Sequence, residues 1–252
     1  MRAAIVCVDF ADILALTLPW NRHHFSDVLV ITSPGDVATR CVAMANNCHY
    51  AITDAFYANG ADFNKWAALE EGLDSFGRHG WITLMDADIC WPKTMAWHLV
   101  EGNLYTPRRR MVESYDELCS PQGLAVPGEH VWTFYPLHPQ QQEWAGFSQT
   151  FHCSDPALGP PPWHQTDWRH AGGADSFFQL KWHRDHKIRP PFECLHIGSA
   201  GQNWCGRAAP YLDGTLPEDA INRTLKLREY IRRRAGQEPA HRYDHERLPQ
   251  DH

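Results

Sequence analysis

The order of short apolar runs and helical patterns in the first ninety residues most constrains the fold. Four compact apolar runs, at 3–8, 28–32, 49–53 and 81–85, are bounded by turn residues and have the composition of buried parallel strands. Apolar residues at helical spacing lie between the second and third runs and between the third and fourth runs. This β-α-β-α-β order predicts an α/β fold in which a mixed, mostly parallel sheet is flanked by helices. Ligands of such folds bind beyond the carboxyl ends of the strands.

Two of the helices carry N-terminal signals. Asp36 follows a Ser-Pro-Gly turn and precedes apolar residues at helical spacing, so we expect it to be an N-cap. Asn64 has the same position before a second helix. That helix places four apolar side chains on one face: Trp66, Leu69, Leu73 and Phe76.

Length and composition exclude several classes of protein. A chain of 252 residues with 43% hydrophobic and 21% charged residues can build a substantial core, which argues against disorder, coiled coil and repeat arrays. No apolar run approaches the roughly 20 residues of a membrane span. An acid close to the start argues against a signal peptide, so we expect a cytoplasmic protein without a membrane partner. The net charge of −7 disfavours binding to nucleic acid mainly through phosphates.

The 16 His, 11 Trp and 8 Cys invite a metal-binding interpretation. The cysteines are scattered singly with no Cys-x-x-Cys, however, so we expect most of them to be small buried hydrophobic residues. His152, Cys153, His164 and His170 cluster loosely in sequence. A zinc-stabilised or nucleic-acid-binding module is therefore an alternative, although zinc sites usually show tighter paired spacings.

The composition of the chain changes between residues 119 and 168, where eight of the 18 prolines and four tryptophans occur. Only short regular structure is expected there, in a segment that serves as a lid or binding loop or that simply packs. A helix at 174–183 and a strand at 192–197 follow. A capping-box pattern then opens a basic helix from 215 to about 234, before a polar tail at 237–252.

Asp86 and Asp88 directly follow the fourth apolar run. In an extended chain, residues two apart point the same way, so both carboxylates can face one ligand. Hard oxygen donors on one side suit Mg²⁺ or Mn²⁺, which keeps open positions for the oxygens of a diphosphate. An Asp-x-Asp pattern alone is weak evidence, but two acids after a buried strand are costly unless a charged group compensates them.

A longer series of motifs resembles a known family. Phe63-Asn64-Lys65-Trp66-Ala67-Ala68-Leu69-Glu70-Glu71-Gly72 and Met85-Asp86-Ala87-Asp88 resemble motifs of metal-dependent, GT-A-type nucleotide-sugar glycosyltransferases, in particular small bacterial and phage enzymes of the broad family 2 kind. Gly172-Gly173-Ala174-Asp175 resembles the acceptor-side motif, where the family often has Glu-Asp. The segment from His196 to Arg207 resembles the stretch that closes the metal site. The resemblance implies a single GT-A domain with a nucleotide-sugar half at 1–118 and an acceptor half at 119–236.

The resemblance also implies roles for individual residues. Asp88 would bind the metal directly, Asp86 would contact the ribose or a metal-bound water, and His196 would be a third metal ligand. Lys65 and Arg207 would reach phosphates. Residues that follow the first three strands would contact the nucleotide: Asp9, Asp12, Ser33, Asp36 and Asp54. Several of these could equally be ordinary caps, turn residues or solvent-facing charges, and capping alone would explain Asp36.

Asp175 is the candidate general base that removes the proton of the acceptor hydroxyl, which implies inversion at the anomeric carbon. An N-cap role is the structural alternative, and in a retaining enzyme Asp175 would bind sugar hydroxyls. The expected function is transfer of a hexose, with UDP favoured as the nucleotide, to a saccharide, a small molecule or a hydroxymethylated base of phage DNA. A sugar nucleotidyltransferase is disfavoured, because the loop after the first strand, Asp9-Phe10-Ala11-Asp12, has no glycine.

Overall fold

The computed structural model describes residues 1–93, 98–112, 146–169, 171 and 174–197. The strands in this part of the chain are β1 (Arg2–Val6), β2 (Val28–Thr32), β3 (His49–Ile52), β4 (Trp81–Asp86), β5 (Ile89–Cys90), β6 (Leu104–Tyr105), β7 (Arg108–Val112), β8 (Ser148–His152), β9 (Lys187–Ile188) and β10 (Glu193–Ile197). The α-helices are α1 (Ala11–Asn21), α2 (Val37–Ala45), α3 (Lys65–Phe76) and α4 (Ala174–Phe178). Short 3₁₀ turns lie at Arg22–His24, Ala55–Gly60, Gln179–Lys181 and Arg184–His186.

Seven strands form the main sheet in the order β3-β2-β1-β4-β8-β6-β9. The first four strands in that order are mutually parallel, and β8 runs antiparallel to both of its neighbours. A second sheet has the order β5-β10-β7. The mixed, mostly parallel sheet confirms the predicted fold class.

The strand order reverses between β1 and β4. From β1 the chain moves outward through β2 to β3 and then crosses back by way of α3 to β4, on the other side of β1. Open α/β sheets bind ligands at such a switch point, beyond the carboxyl ends of the strands. Asp86, which pairs in register with Val6, ends β4 at this position.

Both predicted N-caps are confirmed. The Asp36 carboxylate accepts a hydrogen bond of 3.0 Å from the backbone N–H of Thr39, and the Asn64 side chain accepts one of 3.0 Å from Ala67. Trp66, Leu69 and Leu73 are buried on the predicted face of α3. Gly72 allows this helix to approach the sheet, because a Cβ atom there would lie 2.4 Å from Cδ1 of Ile31.

Between 119 and 168 the regular structure is short where it is described, since β8 has five residues, but the sequence did not indicate that this segment enters the main sheet. This strand lies in the middle of the main sheet, and Ser148, Gln149 and Thr150 are fully buried. The polar sequence of β8 does not indicate a central strand, because buried hydroxyl groups need partners from elsewhere in the chain. One such partner is Thr83, whose Oγ1 lies 2.7 Å from Oγ1 of Thr150. The predicted helix at 174–183 is also too long, since α4 ends at Phe178 and the backbone is extended by Trp182.

Some sequence predictions lie outside the described residues. These are the basic helix at 215–234, the tail at 237–252, and the boundaries between the two predicted halves and the tail. Within the described part of the chain, no helix is long and apolar enough to cross a membrane.

Glu70, which lies in α3, anchors the segment that follows β8. Its carboxylate accepts hydrogen bonds from the backbone N–H groups of Trp163 and His164, at 3.0 and 2.9 Å, and pairs with Arg78 at 2.8 Å. The imidazole of His164 also hydrogen-bonds to it, at 2.5 Å. Burial alone would raise the pKa of Glu70, but His164 and Arg78 outweigh that effect and lower it.

We expect Glu70→Gln to destabilise the fold by about 3 kcal/mol, because it breaks a buried ion pair and leaves Arg78 short of a partner. Asp74→Asn is the matched control. Asp74 pairs with the same Arg78 nitrogen at 2.8 Å, but its side chain is 71% exposed, against 6% for Glu70. Its loss should lower the free energy of unfolding by less than about 0.5 kcal/mol in urea denaturation.

The contribution of Glu70 should also depend on pH in a defined direction. Because its pKa is lowered on folding, the ionised carboxylate stabilises the fold above the ordinary glutamate pKa of about 4.3 and loses that effect as the pH falls through the folded-state value. The difference in stability between the wild type and Glu70→Gln should therefore shrink below about pH 4. A difference that stays constant with pH would contradict this role.

Candidate active site

Asp86 and Asp88 lie where the two sheets meet. The backbone N–H of Asp86 donates to the carbonyl of Phe147, at 2.9 Å, and the carbonyl of Asp88 accepts from the N–H of Ile197, at 2.9 Å. The first bond ties the pair to the residue preceding β8, and the second ties it to β10. Asp88 is buried and Asp86 is half-buried.

The two carboxylates have different partners. Nζ of Lys65 forms an ion pair with Oδ1 of Asp86. Nε2 of His196 lies 3.0 Å from Oδ2 of Asp88. Burial and the negative charge of Asp88 raise the pKa of Asp86, although Lys65 acts in the opposite direction. Lys65 therefore does not fully offset the effects of burial and of the neighbouring Asp88 on Asp86.

Arg109 contacts His196, which is the partner of Asp88. Its Nη1 lies 2.8 Å from Nδ1 of His196, and its guanidinium carbon lies 4.7 Å from the ring centroid of Phe147. Arg109 and His196 are both buried, on neighbouring strands β7 and β10. Burial lowers the pKa of Arg109, while Asp88, Asp86 and Asp175 act against that effect.

Asp175 also reaches this cluster. Its Oδ2 accepts a hydrogen bond of 3.1 Å from the backbone N–H of Gly146, and its backbone carbonyl accepts one of 3.4 Å from Nε2 of Gln149. A Cβ atom on Gly146 would lie 1.9 Å from Cβ of Asp175, so only glycine permits this approach. The N-cap alternative does not hold, because α4 begins at Ala174 and Asp175 lies within its first turn.

Lys65 interacts electrostatically with all three carboxylates. Although burial acts to lower the pKa of Lys65, Asp86, Asp175 and Asp88 together raise it, so the ammonium stays protonated. Residues 65, 86, 88, 109 and 175 thus form one electrostatic cluster from four separate parts of the chain. With all five side chains ionised, the cluster has three negative and two positive charges.

A buried aromatic stack connects the two sides of the cluster. The imidazole of His164 lies between Trp66 and Phe178, with ring centroids 4.6 and 4.1 Å away and interplanar angles of 21° and 20°. Trp66 is adjacent to Lys65 in α3, and Phe178 lies in α4 with Asp175. The stack therefore fixes the spacing between the helices that supply Lys65 and Asp175.

Asp36 organises the residues that follow β1 and β2. Besides capping α2, its Oδ2 accepts hydrogen bonds from the N–H of Asp9, at 2.8 Å, and from the hydroxyl of Thr32, at 3.2 Å. Asp9 is exposed, and its φ of 57° is a left-handed conformation that is uncommon for a side-chain-bearing residue. The carboxylate of Asp36 thus shapes the loop that presents Asp9.

The other predicted nucleotide contacts differ in exposure. Asp12 is buried in the first turn of α1, and Ser33 is buried after β2. Asp54 is exposed and lines an open cleft of about 630 Å³ beyond β3, together with Thr53, Tyr57 and Glu71. Arg207, Gly172 and Gly173 lie outside the described residues.

The donor set at the end of β4 is compatible with a hard divalent cation. Asp86 and Asp88 offer carboxylate oxygens, which Mg²⁺ and Mn²⁺ prefer, and such ions often use one or two carboxylates plus substrate phosphates. Among the described residues, no group of three or more His, Cys, Asp or Glu side chains is arranged to hold a metal.

The loose His and Cys cluster does not assemble in the described part of the chain. His164 is bound to Glu70, and Nδ1 of His152 lies 2.7 Å from the hydroxyl of Ser154. Cys153 is half-buried and free. His170 lies outside the described residues.

Sequence reasoning missed Arg109, Gly146 and Glu70 as components of the site and its support. Arg109 lies in a run of three arginines whose alternation on β7 places only the middle one in a buried position facing His196. Gly146 belongs to the segment that the sequence marked as irregular. Glu70 occurs within the motif series, but nothing in the sequence indicates its distant partners.

Comparisons with known proteins gave matches among solved structures. No family model matches the chain, and no curated protein matches it in sequence. Three structures of glucosyl-3-phosphoglycerate synthase from Mycobacterium tuberculosis are similar to it. The complex with Mn²⁺, UDP and glucosyl-3-phosphoglycerate has 12% identity, a TM-score of 0.47, and covers 95% of this chain and 81% of that one.

The complex with Mn²⁺, UDP-glucose and phosphoglyceric acid has 11% identity and a TM-score of 0.48, covering 95% and 80% of the two chains. The complex with Mg²⁺ and UDP has 11% identity and a TM-score of 0.44, with the same coverage.

Gly146→Ala tests the close approach of Asp175. The new methyl group would overlap Cβ of Asp175, so we expect a loss of about 1–3 kcal/mol in the free energy of unfolding. In an Asp175→Gly background, which lacks that Cβ, the same change should cost less than about 1 kcal/mol. Gly35→Ala is the control, because a Cβ atom there meets nothing within 4 Å. Equal losses in both backgrounds would contradict the contact.

Proposed function

We propose that this chain is a metal-dependent glycosyltransferase, which moves a hexose from a nucleoside-diphosphate sugar to an acceptor hydroxyl. One observation carries the proposal. Asp86, Asp88 and Asp175 converge with Lys65 and Arg109 beyond the carboxyl end of β4, at the switch point of the sheet. A transferase of this kind needs carboxylates that bind the metal ion and positively charged side chains that bind the diphosphate. It also needs a carboxylate that faces the acceptor hydroxyl.

The charges of the cluster suit a metal-bound diphosphate. The five side chains leave one net negative charge, which favours a divalent cation, and Lys65 adds a phosphate-binding group. An ammonium has three donor hydrogens, so Lys65 can pair with Asp86 and still donate to a phosphate oxygen. The cation, Mn²⁺ or Mg²⁺, would be held by Asp88 with help from Asp86, and it would neutralise the charge of the leaving diphosphate.

Recognition of the nucleotide is assigned to the loops after β1, β2 and β3. Asp36 supports this by holding the loop of Asp9 in a fixed conformation. Asp54 lines the open cleft beyond β3, Asp12 lies in the first turn of α1, and Ser33 directly follows β2. Arg207 is assigned to a phosphate by the sequence motif alone. UDP is the favoured nucleotide, also on the basis of the sequence motifs alone.

Asp175 is the proposed general base. It takes the proton of the acceptor hydroxyl while that oxygen attacks the anomeric carbon, and the bond from that carbon to the diphosphate oxygen breaks with its electron pair on the diphosphate. Gly146 and Gln149 hold Asp175 through its side chain and backbone. Attack opposite the leaving group inverts the anomeric configuration.

The acceptor is proposed only as a class, a hydroxyl on a saccharide, a small molecule or a hydroxymethylated DNA base. Trp163, buried, and Trp168, half-buried, lie on the side of the chain assigned to the acceptor. Their packing also accounts for them without a ligand, since the Trp168 ring lies 5.5 Å from that of Phe177.

A donor screen tests the function. The protein is incubated with Mn²⁺ and each common nucleotide sugar, with and without hydroxymethylated DNA, and release of the nucleoside diphosphate is measured. We expect release from a UDP-sugar, lost by at least about 100-fold in Asp88→Asn and retained in the exposed control Asp74→Asn. No release from any donor would reject the proposed function.

Asp175→Asn separates catalysis from donor binding. We expect transfer to fall by about 10²–10⁴-fold, since amides are poor bases, while the affinity for the nucleotide sugar changes little. Asp185→Asn, at an 82% exposed side chain, is the control for charge removal. Full residual transfer by Asp175→Asn would rule out the assigned base, and analysis of the product anomer would test inversion.

A further inference from the structure

Hydrogen bonds hold both of the peptide groups that flank Asp88. The carbonyl of Ala87, in the preceding peptide group, accepts a hydrogen bond of 2.6 Å from Oγ1 of Thr17 in α1. The carbonyl of Asp88, in the following peptide group, accepts one of 2.9 Å from the N–H of Ile197 in β10. Because peptide groups are planar, fixing both of them fixes the direction of the Cα–Cβ bond between them. The direction of the Asp88 side chain therefore depends on α1 as well as on β10.

Asn21 takes the place of a neighbouring strand for the residues that follow Asp88. Its Nδ2 donates a hydrogen bond of 2.6 Å to the carbonyl of Ile89, and its Oδ1 accepts one of 2.9 Å from the N–H of Trp91. Nε1 of Trp20 donates to the carbonyl of Trp91, at 2.6 Å. On its other edge this segment, which contains β5, pairs with β10. The segment is thus enclosed between α1 and β10.

Apolar side chains on both sides of Thr17 fix the position of α1. Ile13 packs with Cys90 in one buried cluster, and Leu14 and Leu18 belong to a second. The first cluster brings α1 directly against β5. The hydroxyl of Thr17 is therefore presented from a helix that is itself packed against the segment it contacts.

Thr17 and Asn21 are polar residues in buried positions. Each is 1% exposed, and they are four residues apart, so they lie on the same face of α1. A threonine within a helix can donate to the carbonyl four residues earlier in its own helix. The hydroxyl of Thr17 has a single hydrogen and donates it to Ala87 instead. An apolar residue of the same size would fill this space without making that bond.

We infer that Thr17 is a positioning residue, which fixes the direction in which Asp88 presents its carboxylate to the cation. The inference rests on the proposed function, because it takes Asp88 as the residue that binds the cation. It also gives α1 a place in the site. Since α1 begins at Ala11, just after Asp9, one helix connects the loop assigned to the nucleotide with the residue assigned to the metal.

Thr17→Val removes the hydroxyl and keeps the size of the side chain. We expect Mn²⁺ binding in the presence of UDP to weaken about tenfold, because groups that orient metal ligands commonly contribute about 10–100-fold to affinity. Binding is measured from the electron paramagnetic resonance signal of free Mn²⁺. Thr17→Ser keeps the hydroxyl and should keep the wild-type affinity. An unchanged affinity in Thr17→Val, or an equal loss in Thr17→Ser, would overturn the inference.

Thr83→Val is the matched control. Thr83 is also fully buried, lies in β4 itself and has its Oγ1 2.7 Å from Oγ1 of Thr150. The same exchange there should lower stability in urea denaturation and leave Mn²⁺ affinity unchanged. An affinity loss in Thr83→Val that matches the loss in Thr17→Val would identify general destabilisation as the cause and overturn the positioning role.

Hydrogen exchange tests the same effect in the metal-free protein. The Ile197 N–H donates to the carbonyl of Asp88, so its exchange rate, measured by NMR, reports how firmly that carbonyl is held. We expect Thr17→Val to raise this rate about tenfold relative to the amides of β1, because the segment opens locally. Thr83→Val should not change this ratio. Equal ratios in the two variants would contradict the role of Thr17.

The wild type separates the two proposals. If it does not bind Mn²⁺ with UDP present, the proposed function is rejected and the positioning role falls with it. If the wild type binds Mn²⁺ and Thr17→Val binds it equally well, the positioning role alone is rejected. Thermal unfolding of each variant establishes that the compared proteins are folded.

Discussion

The concentration of carboxylates beyond β4 is the constraint on which the rest of the structure depends. Ionised groups removed from water must be paired, and each carboxylate here takes its partner from a different element. Lys65 of α3 pairs with Asp86, and His196 of β10 contacts Asp88. The small sheet is therefore tied to the large one at the point where charge compensation is needed.

A second set of buried polar side chains fixes the elements that carry these charges. Glu70 fastens the segment after β8 to α3, and Asp36 holds the loop after β1. Asn64 caps α3 and also donates a 2.7 Å hydrogen bond to the carbonyl of Thr166. The motif series that resembles a glycosyltransferase thus contains anchoring residues, such as Asn64 and Glu70, beside residues suited to chemistry.

The proposed mechanism follows from this division of roles. Lys65 and Asp175 lie on helices whose spacing is set by the stack of His164 between Trp66 and Phe178. On the other side, Asp88 contacts His196, which in turn contacts Arg109. Lys65, Asp88 and Asp175 are therefore held from separate supports, which is the arrangement that the proposed transfer between two bound substrates requires.

The sequence by itself determined the parallel half of the sheet, the two N-caps and the place of Asp86 and Asp88, because these depend on local periodicity, turn chemistry and neighbouring residues. It could not locate β8, whose buried polar side chains need partners from β4, nor end α4 at Phe178. It also could not select Arg109 from three consecutive arginines or require glycine at position 146. Those features depend on strand register and on atoms distant in sequence, so only the tertiary structure decided them.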